Sequence, residues 1–345
     1  TLIVLLPFIG AVLPAIMIRA GRNACATATG SVTLLALILL MAKAPAVIAG
    51  EVFQVSYSWL PELGLNVTFF LDGLGLLFAT LILGIGLLII IYARFYLSKD
   101  DPMGRFYVFL LLFQGAMVGI VLSDNILLLL IFWELTSLSS FLLIGYWKHL
   151  PAGRQGARMA LAVTGAGGLA MIAGPHAMAA PTPVSAYLHS ATMVKAGIFL
   201  MARMWPVLSG TPEWFYIVAT AGLVTMVLGA WIAIFKHDLK GLLAFSTVSH
   251  LGLVTMLLGF GTPMAAVAGV FHIINHATFK AALFMTAGII DHETGTRDIR
   301  RFGGLLNLMP IAGTIGIITA ASMAGVIPFN GFISKEMMLE EAWHT

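Results

Sequence analysis

Long apolar runs broken by short polar clusters set the pattern of this chain. Windows near 2–18, 24–42, 69–92, 106–122, 126–146 and 157–174 are apolar over about the 20 residues that one membrane crossing needs. Further windows lie near 183–204, 214–235, 242–260, 264–290 and 308–327, followed by a shorter helix near 331–342. These runs are continuous, whereas barrel strands would alternate in short segments, so the spans are predicted to be helices. Lys43, Glu51 and Glu62 fall in a loop between the second and third spans. Composition agrees: the 345 residues are 60% hydrophobic and only 10% charged, against roughly 25% charged in soluble domains. An ordinary cytosolic enzyme is excluded. The expectation is an all-α polytopic transmembrane bundle, a single domain over 1–345 with candidate sub-bundles 1–174 and 175–345. A start at Thr1 and a stop among charged residues at Thr345 read as a fragment. The first apolar run has no basic leader, so no cleaved signal peptide is read.

The loop charges alternate. Arg19 and Arg22, then Arg94, Lys99 and Arg105, then Lys148, Arg154 and Arg158 mark one side of the membrane, against Lys43 alone on the other. The positive-inside rule puts the N-terminus outside and the basic loops in the cytoplasm. In the second half, Lys236 and Lys240 mark one cytoplasmic loop and Arg297, Arg300 and Arg301 another. Counting back, the span near 183–204 must start inside, yet the span ending at Gly174 finishes outside. The stretch 175–183 rises only about 13 Å as helix against a hydrocarbon core of about 30 Å. One crossing is therefore expected to be absent at the Gly174–Pro175 junction. Its rivals are a re-entrant 175–183 segment or a failure of the charge rule.

Several polar residues lie inside these apolar runs. Glu134 sits mid-span in LLLLIFWELTSLSSFLLIGY, where an ionised side chain costs about 2.5–3.5 kcal/mol; it is expected to be protonated or paired, as a proton-relay or cation-site residue or as a packing acid. His189 and Lys195 lie in YLHSATMVKAG, His250 in STVSHLG, and His272, His276 and Lys280 in FHIINHATFKAAL. The last three are four residues apart and share one helix face, since each step drifts only about 40°. Imidazoles titrate near neutral pH, while burial and a nearby carboxylate pull a lysine's proton affinity in opposite directions. Such a stripe suits a proton wire. A zinc pair at His272 and His276 is the rival, without the HExxH frame or a third ligand; helix packing is the rival for His189 and His250. Pro181, Pro183, Gly325, Pro328, Asn330 and Gly331 break helices beside His189 and Lys335, as transport paths do. Asp72, at the end of its span, is a candidate entrance carboxylate or an end anchor; Lys195 is a candidate entrance residue. The single Cys25 excludes an internal disulfide or a cysteine-bound cluster, and no cofactor or metal is expected. The net charge of +3 is too slight to indicate nucleic acid.

The stretches LDGLGLLF, NILLLLIFWELTSLSSFLLIGYW, PHAMAAPTPVSAYLHSATMVKAG, HDLKGLLAFSTVSHLG, FHIINHATFKAALFMTAGIIDHETGTRDIRRFGGL and NGFISKEMM together resemble the antiporter-like subunits shared by respiratory complex I and the Mrp-type cation/proton antiporters. The DHETGTRDI loop is most similar to the A subunit of the Mrp type. The resemblance implies an essential carboxylate at Glu134, a relay histidine at His189, a lysine opening the tenth helix at Lys240, a central relay of His272, His276 and Lys280 on a broken eleventh helix, and Lys335 on a broken twelfth. Asp72 matches the acidic residue of the LDGL motif. The family's seventh helix carries a lysine that pairs with the Glu134 position, followed by a TKSAQFPFHFWLPHAM-like run. Here only PHAM remains, after Gly174. The implied function is a proton-translocating subunit of a bacterial inner-membrane Na⁺/H⁺ antiporter, a transporter and not an enzyme, acting with other subunits in the lipid bilayer. Alternatives are a proton-pumping subunit of NADH:quinone oxidoreductase and a transport-dead scaffold.

Overall fold

In the computed structural model the described residues are 1–147, 150–165 and 180–344. The Gly174–Pro175 junction lies outside them. The chain forms two compact units, one of Thr1–Tyr187 with Ala191–Ala196 and one of Leu188–Ser190 with Gly197–Thr345.

The first unit opens with α1 (Leu2–Gly10), α2 (Val12–Met17), α3 (Arg22–Met41) and α4 (Ala44–Ile48). Strands β1 (Phe53–Leu60) and β2 (Leu65–Leu71) then pair antiparallel, from Phe53 opposite Leu71 to Leu60 opposite Leu65. This hairpin replaces the expected loop. Its signal is the alternation in FQVSYSWL, closed by a turn through Gly64 at φ 69°. The helices α5 (Gly73–Tyr96), α6 (Met103–Leu122), α7 (Ile126–Ile144) and α8 (Pro151–Gly165) follow. Asp72 caps α5 by accepting from Gly75 N at 2.8 Å, and Asn125 caps α7 by accepting from Leu127 N at 2.9 Å, so orphan amides at both helix starts are satisfied. The central α6 packs against α1, α5 and α7 and buries Phe106, Phe113, Met117 and Ile120. Arg22 donates to Leu97 O at 2.6 Å, Arg94 to Asn23 Oδ1 at 2.6 Å and Arg105 to Tyr146 O at 3.1 Å. The basic loops of this unit thus meet at one end, as charge alternation requires.

After α9 (Thr182–Ser190) and α10 (Met193–Leu208), which meet at a break over 191–192, the second unit continues with α11 (Thr220–Ile234), α12 (Leu239–Gly259), α13 (Pro263–Thr294), α14 (Pro310–Ala324) and α15 (Asn330–His344). Asp238 caps α12 and Thr262 caps α13, each by accepting a backbone amide hydrogen bond at its helix start. Among the described residues, nine helices are long and apolar enough to cross a membrane, and Pro310–Ala324 is a shorter apolar one. α14 and α15 are separated by 325–329, a discontinuity that the sequence marks with Gly325 and Pro328. In contrast, α13 is a single helix of 32 residues, correcting the break that the resemblance implied. After Pro263 it contains no proline, so no backbone donor is lost along its length.

α11 and α12 approach backbone to backbone through Gly222 and Gly252. A methyl group at Gly222 would overlap the backbone of Met256, and one at Gly252 the backbone of Met226. Small residues allow this closeness in helix pairs that water does not drive together. Gly252→Leu is expected to wedge the pair apart and cost about 1–3 kcal/mol or more, read as a lower midpoint of thermal unfolding in detergent.

Candidate proton-relay site

Most of the expected relay residues lie within the second unit, on α12, α13 and α15. His272, His276 and Lys280 occupy one row of α13 and are all buried. From His272 to Asp291 the helix rises about 28 Å, close to the thickness of a hydrocarbon core. At one end His272 Nδ1 is 3.0 Å from Ser334 Oγ, and its Nε2 is 2.9 Å from His250 Nδ1. One imidazole must donate to the other across that second contact. Protonating both would oppose two N–H groups, so at most one of the two rings can be an imidazolium while the contact lasts. The His276 ring lies beside them, its centroid 5.4 Å from that of His250.

One turn along the row, Lys280 is fully buried. Its ammonium donates to Leu243 O at 3.2 Å and to Ser246 Oγ. Both partners are neutral oxygens, which take two of the three ammonium donors without cancelling a positive charge at this depth. The next position of the row is Phe284, on which the ring of buried His189 stacks at 5.1 Å between centroids and 9° between planes. Beyond it, Lys240 and Asp291 form an ion pair at 3.3 Å, with Lys240 only 2% exposed and Asp291 26% exposed. At the opposite end Lys335 donates to Ala324 O at 3.1 Å, where the break between α14 and α15 frees carbonyls. Asn330, which opens α15 after the same break, donates to Asn275 Oδ1 on α13 at 2.9 Å.

Asp291, Ser246, Ser334 and Asn275 join the candidate site without being singled out in the sequence, whereas Asn330 is marked there only as a helix breaker. Only Asp291 carries a signal, within the DHETGTRDI stretch. The placement of Glu134 requires a correction. Expected in the interior, it is exposed on α7 beside exposed Leu130, Ile131, Leu135 and Leu138. α7 packs against α6 and α8 on its other side. Lys195, a candidate entrance residue, is only 1% exposed and lies in the first unit. Asp72 is the helix cap already described. Among the described residues, no group of three or more His, Cys, Asp or Glu side chains is placed to hold a metal.

Residues 174–345 match the family model described as NADH:quinone oxidoreductase/Mrp antiporter, and residues 59–107 match the complex I chain 5 N-terminal family. The Mrp complex from Dietzia superimposes with a TM-score of 0.88 and 35% identity over 99% of this chain and 43% of that one. The chain belongs to this antiporter-like family. A probable K⁺/H⁺ antiporter A/B subunit of Rhizobium meliloti is 50% identical over 99% of the chain and 40% of its own length. The Na⁺/H⁺ antiporter A subunit of Alkalihalophilus pseudofirmus is 48% identical over 84% of the chain and 44% of its own length. This antiporter-like chain therefore spans less than half the length of these curated relatives. An archaeal membrane-bound sulfane sulfur reductase complex shares the fold, with a TM-score of 0.87 at 22% identity. The comparison with the Rhizobium relative runs over 395 residues against the 345 of this chain, so it contains positions that have no counterpart here. The match to the larger family model starts at residue 174, beside the junction where charge parity places an absent crossing.

Proposed function

We propose that this chain is a proton-translocating subunit of a multisubunit monovalent cation/proton antiporter, assembled with other subunits in a bacterial plasma membrane and acting as a transporter, not an enzyme. The observation that carries this reading is the α13 row, whose titratable groups and their partners extend over about 28 Å of helix. Protons pass between Lys335, the His250–His272 pair, His276 and Lys280, with water bridging the wider gaps. His189 lies beyond Lys280, next to Phe284. The Lys240–Asp291 pair stands at the far end, where opening the pair changes the charge that Lys280 faces. Exchange needs reciprocal coupling: proton uptake on the row must ease release of the other cation by the same free energy.

Na⁺ is the first candidate for that cation, as named for the Alkalihalophilus relative. K⁺ is the second, favoured by the name of the Rhizobium relative. In everted vesicles containing the assembled complex, added NaCl or KCl is expected to dissipate an imposed proton gradient while choline chloride does not. A gradient equally insensitive to all three salts refutes antiport. A scaffold role instead predicts unchanged exchange when Lys280→Gln is introduced. Pumping driven by NADH oxidation, with no response to either cation, would point to the oxidoreductase reading.

A further inference from the structure

Beside the basic end of the first unit lies a cavity of about 430 Å³ that the relay does not use. Its lining is almost wholly apolar surface, to which Phe109, Phe141 and Leu142 contribute, and Arg105, Arg154 and Arg158 are also among the lining residues. Among the described residues, no acidic side chain lines it. Arg105 lies over the Tyr146 ring at 5.4 Å and donates one N–H to Tyr146 O, yet its Nε is buried with no acceptor. Tyr146, also in the lining, is 2% exposed, and its hydroxyl is likewise buried without a partner. Burial raises the phenol well above its usual range, so it remains a proton donor at any physiological pH. The neighbouring carboxylate of Asp101 is engaged elsewhere, accepting from Trp147 Nε1 at 2.9 Å and Ser98 N at 3.0 Å.

Depth narrows the ligand. α6 begins at Met103 and α7 ends at Ile144, so Arg105 and Tyr146 stand at the ends of their spans while Phe109 and Phe141 lie about one to two turns within them. A phosphate at the rim would satisfy the orphaned donors and the clustered cations together. Hydrocarbon attached to it would cover the apolar wall, which a free anion would leave exposed. Basic pockets between helix ends on the cytoplasmic side suit anionic headgroups in this way. We propose that this cavity binds an anionic phospholipid, its phosphate held by Arg105, Arg154, Arg158 and the Tyr146 hydroxyl, with acyl chain packed against Phe109, Phe141 and Leu142.

The test is a titration of the full chain in detergent with phosphatidylglycerol and, separately, phosphatidylcholine, followed by native mass spectrometry. Phosphatidylglycerol is expected to bind more tightly by tenfold or more, by about fivefold for each cation engaged. Arg154 and Arg158 are exposed on α8, so the double variant Arg154→Gln/Arg158→Gln should keep its helical signal and lose about 30-fold in phosphatidylglycerol affinity. Tyr146→Phe should weaken binding by a smaller factor at unchanged helicity. Equal affinity for both lipids, indifference to the double substitution, or displacement of the lipid by millimolar inorganic phosphate overturns the proposal.

Discussion

Vesicles carrying Lys280→Ala in the assembled complex are expected to show cation-dependent proton flux at background level with normal amounts of the chain. The amine lies in the middle of the α13 row, with His276 one turn to one side and the non-titratable Phe284 one turn to the other. Without it, a carrier must cross from His276 to His189 beside Phe284, about 12 Å along the axis, with no proton site of the row between them. Folding should survive, because the lost contacts are hydrogen bonds to Leu243 O and Ser246 Oγ, of which each contributes about 0.5–1.5 kcal/mol net. Lys280→Met, which fills the space without the proton site, should behave identically. Normal flux in both variants would remove the central link from the relay.

A second large effect is expected at the far end of the row. Asp291→Asn leaves Lys240, almost wholly buried, facing a neutral amide. Removing one partner of a fully buried pair costs about 3–5 kcal/mol. Asp291 is a quarter exposed, so water screens part of that, and about 1–3 kcal/mol is expected. The thermal midpoint should fall by a few degrees. The double variant Lys240→Met/Asp291→Leu should recover most of the loss, since removing both charges leaves none unpaired. Equal midpoints for the wild type and Asp291→Asn would show that the pair contributes nothing to the fold.

The helices are legible because apolar runs of spanning length have few other solutions, and their ends follow caps such as Asp238 and Thr262 that stand one residue before the first turn. The i,i+4 spacing likewise places His272, His276 and Lys280 on one row without any tertiary information. What escapes is what only packing decides. Ser246 and Ser334 are ordinary helix residues until α12 and α15 bring them to a lysine and a histidine. Glu134 misleads for the same reason: hydropathy shows that a carboxylate lies within an apolar run, but not which side of α7 faces a neighbour. The hairpin escapes because, between spans, its polar alternation stands out only as a stretch too hydrophilic to cross.

Under the antiport proposed above, the unbroken course of α13 would separate two kinds of traffic. Every peptide oxygen along its interior is engaged by the amide one turn ahead, so the rod can relay hydrogen ions through its side chains but offers no main-chain cradle to an alkali metal shedding its hydration shell. Where α14 gives way to α15 the helical ladder is interrupted, and Ala324 O there accepts from Lys335 instead of from a backbone amide one turn ahead.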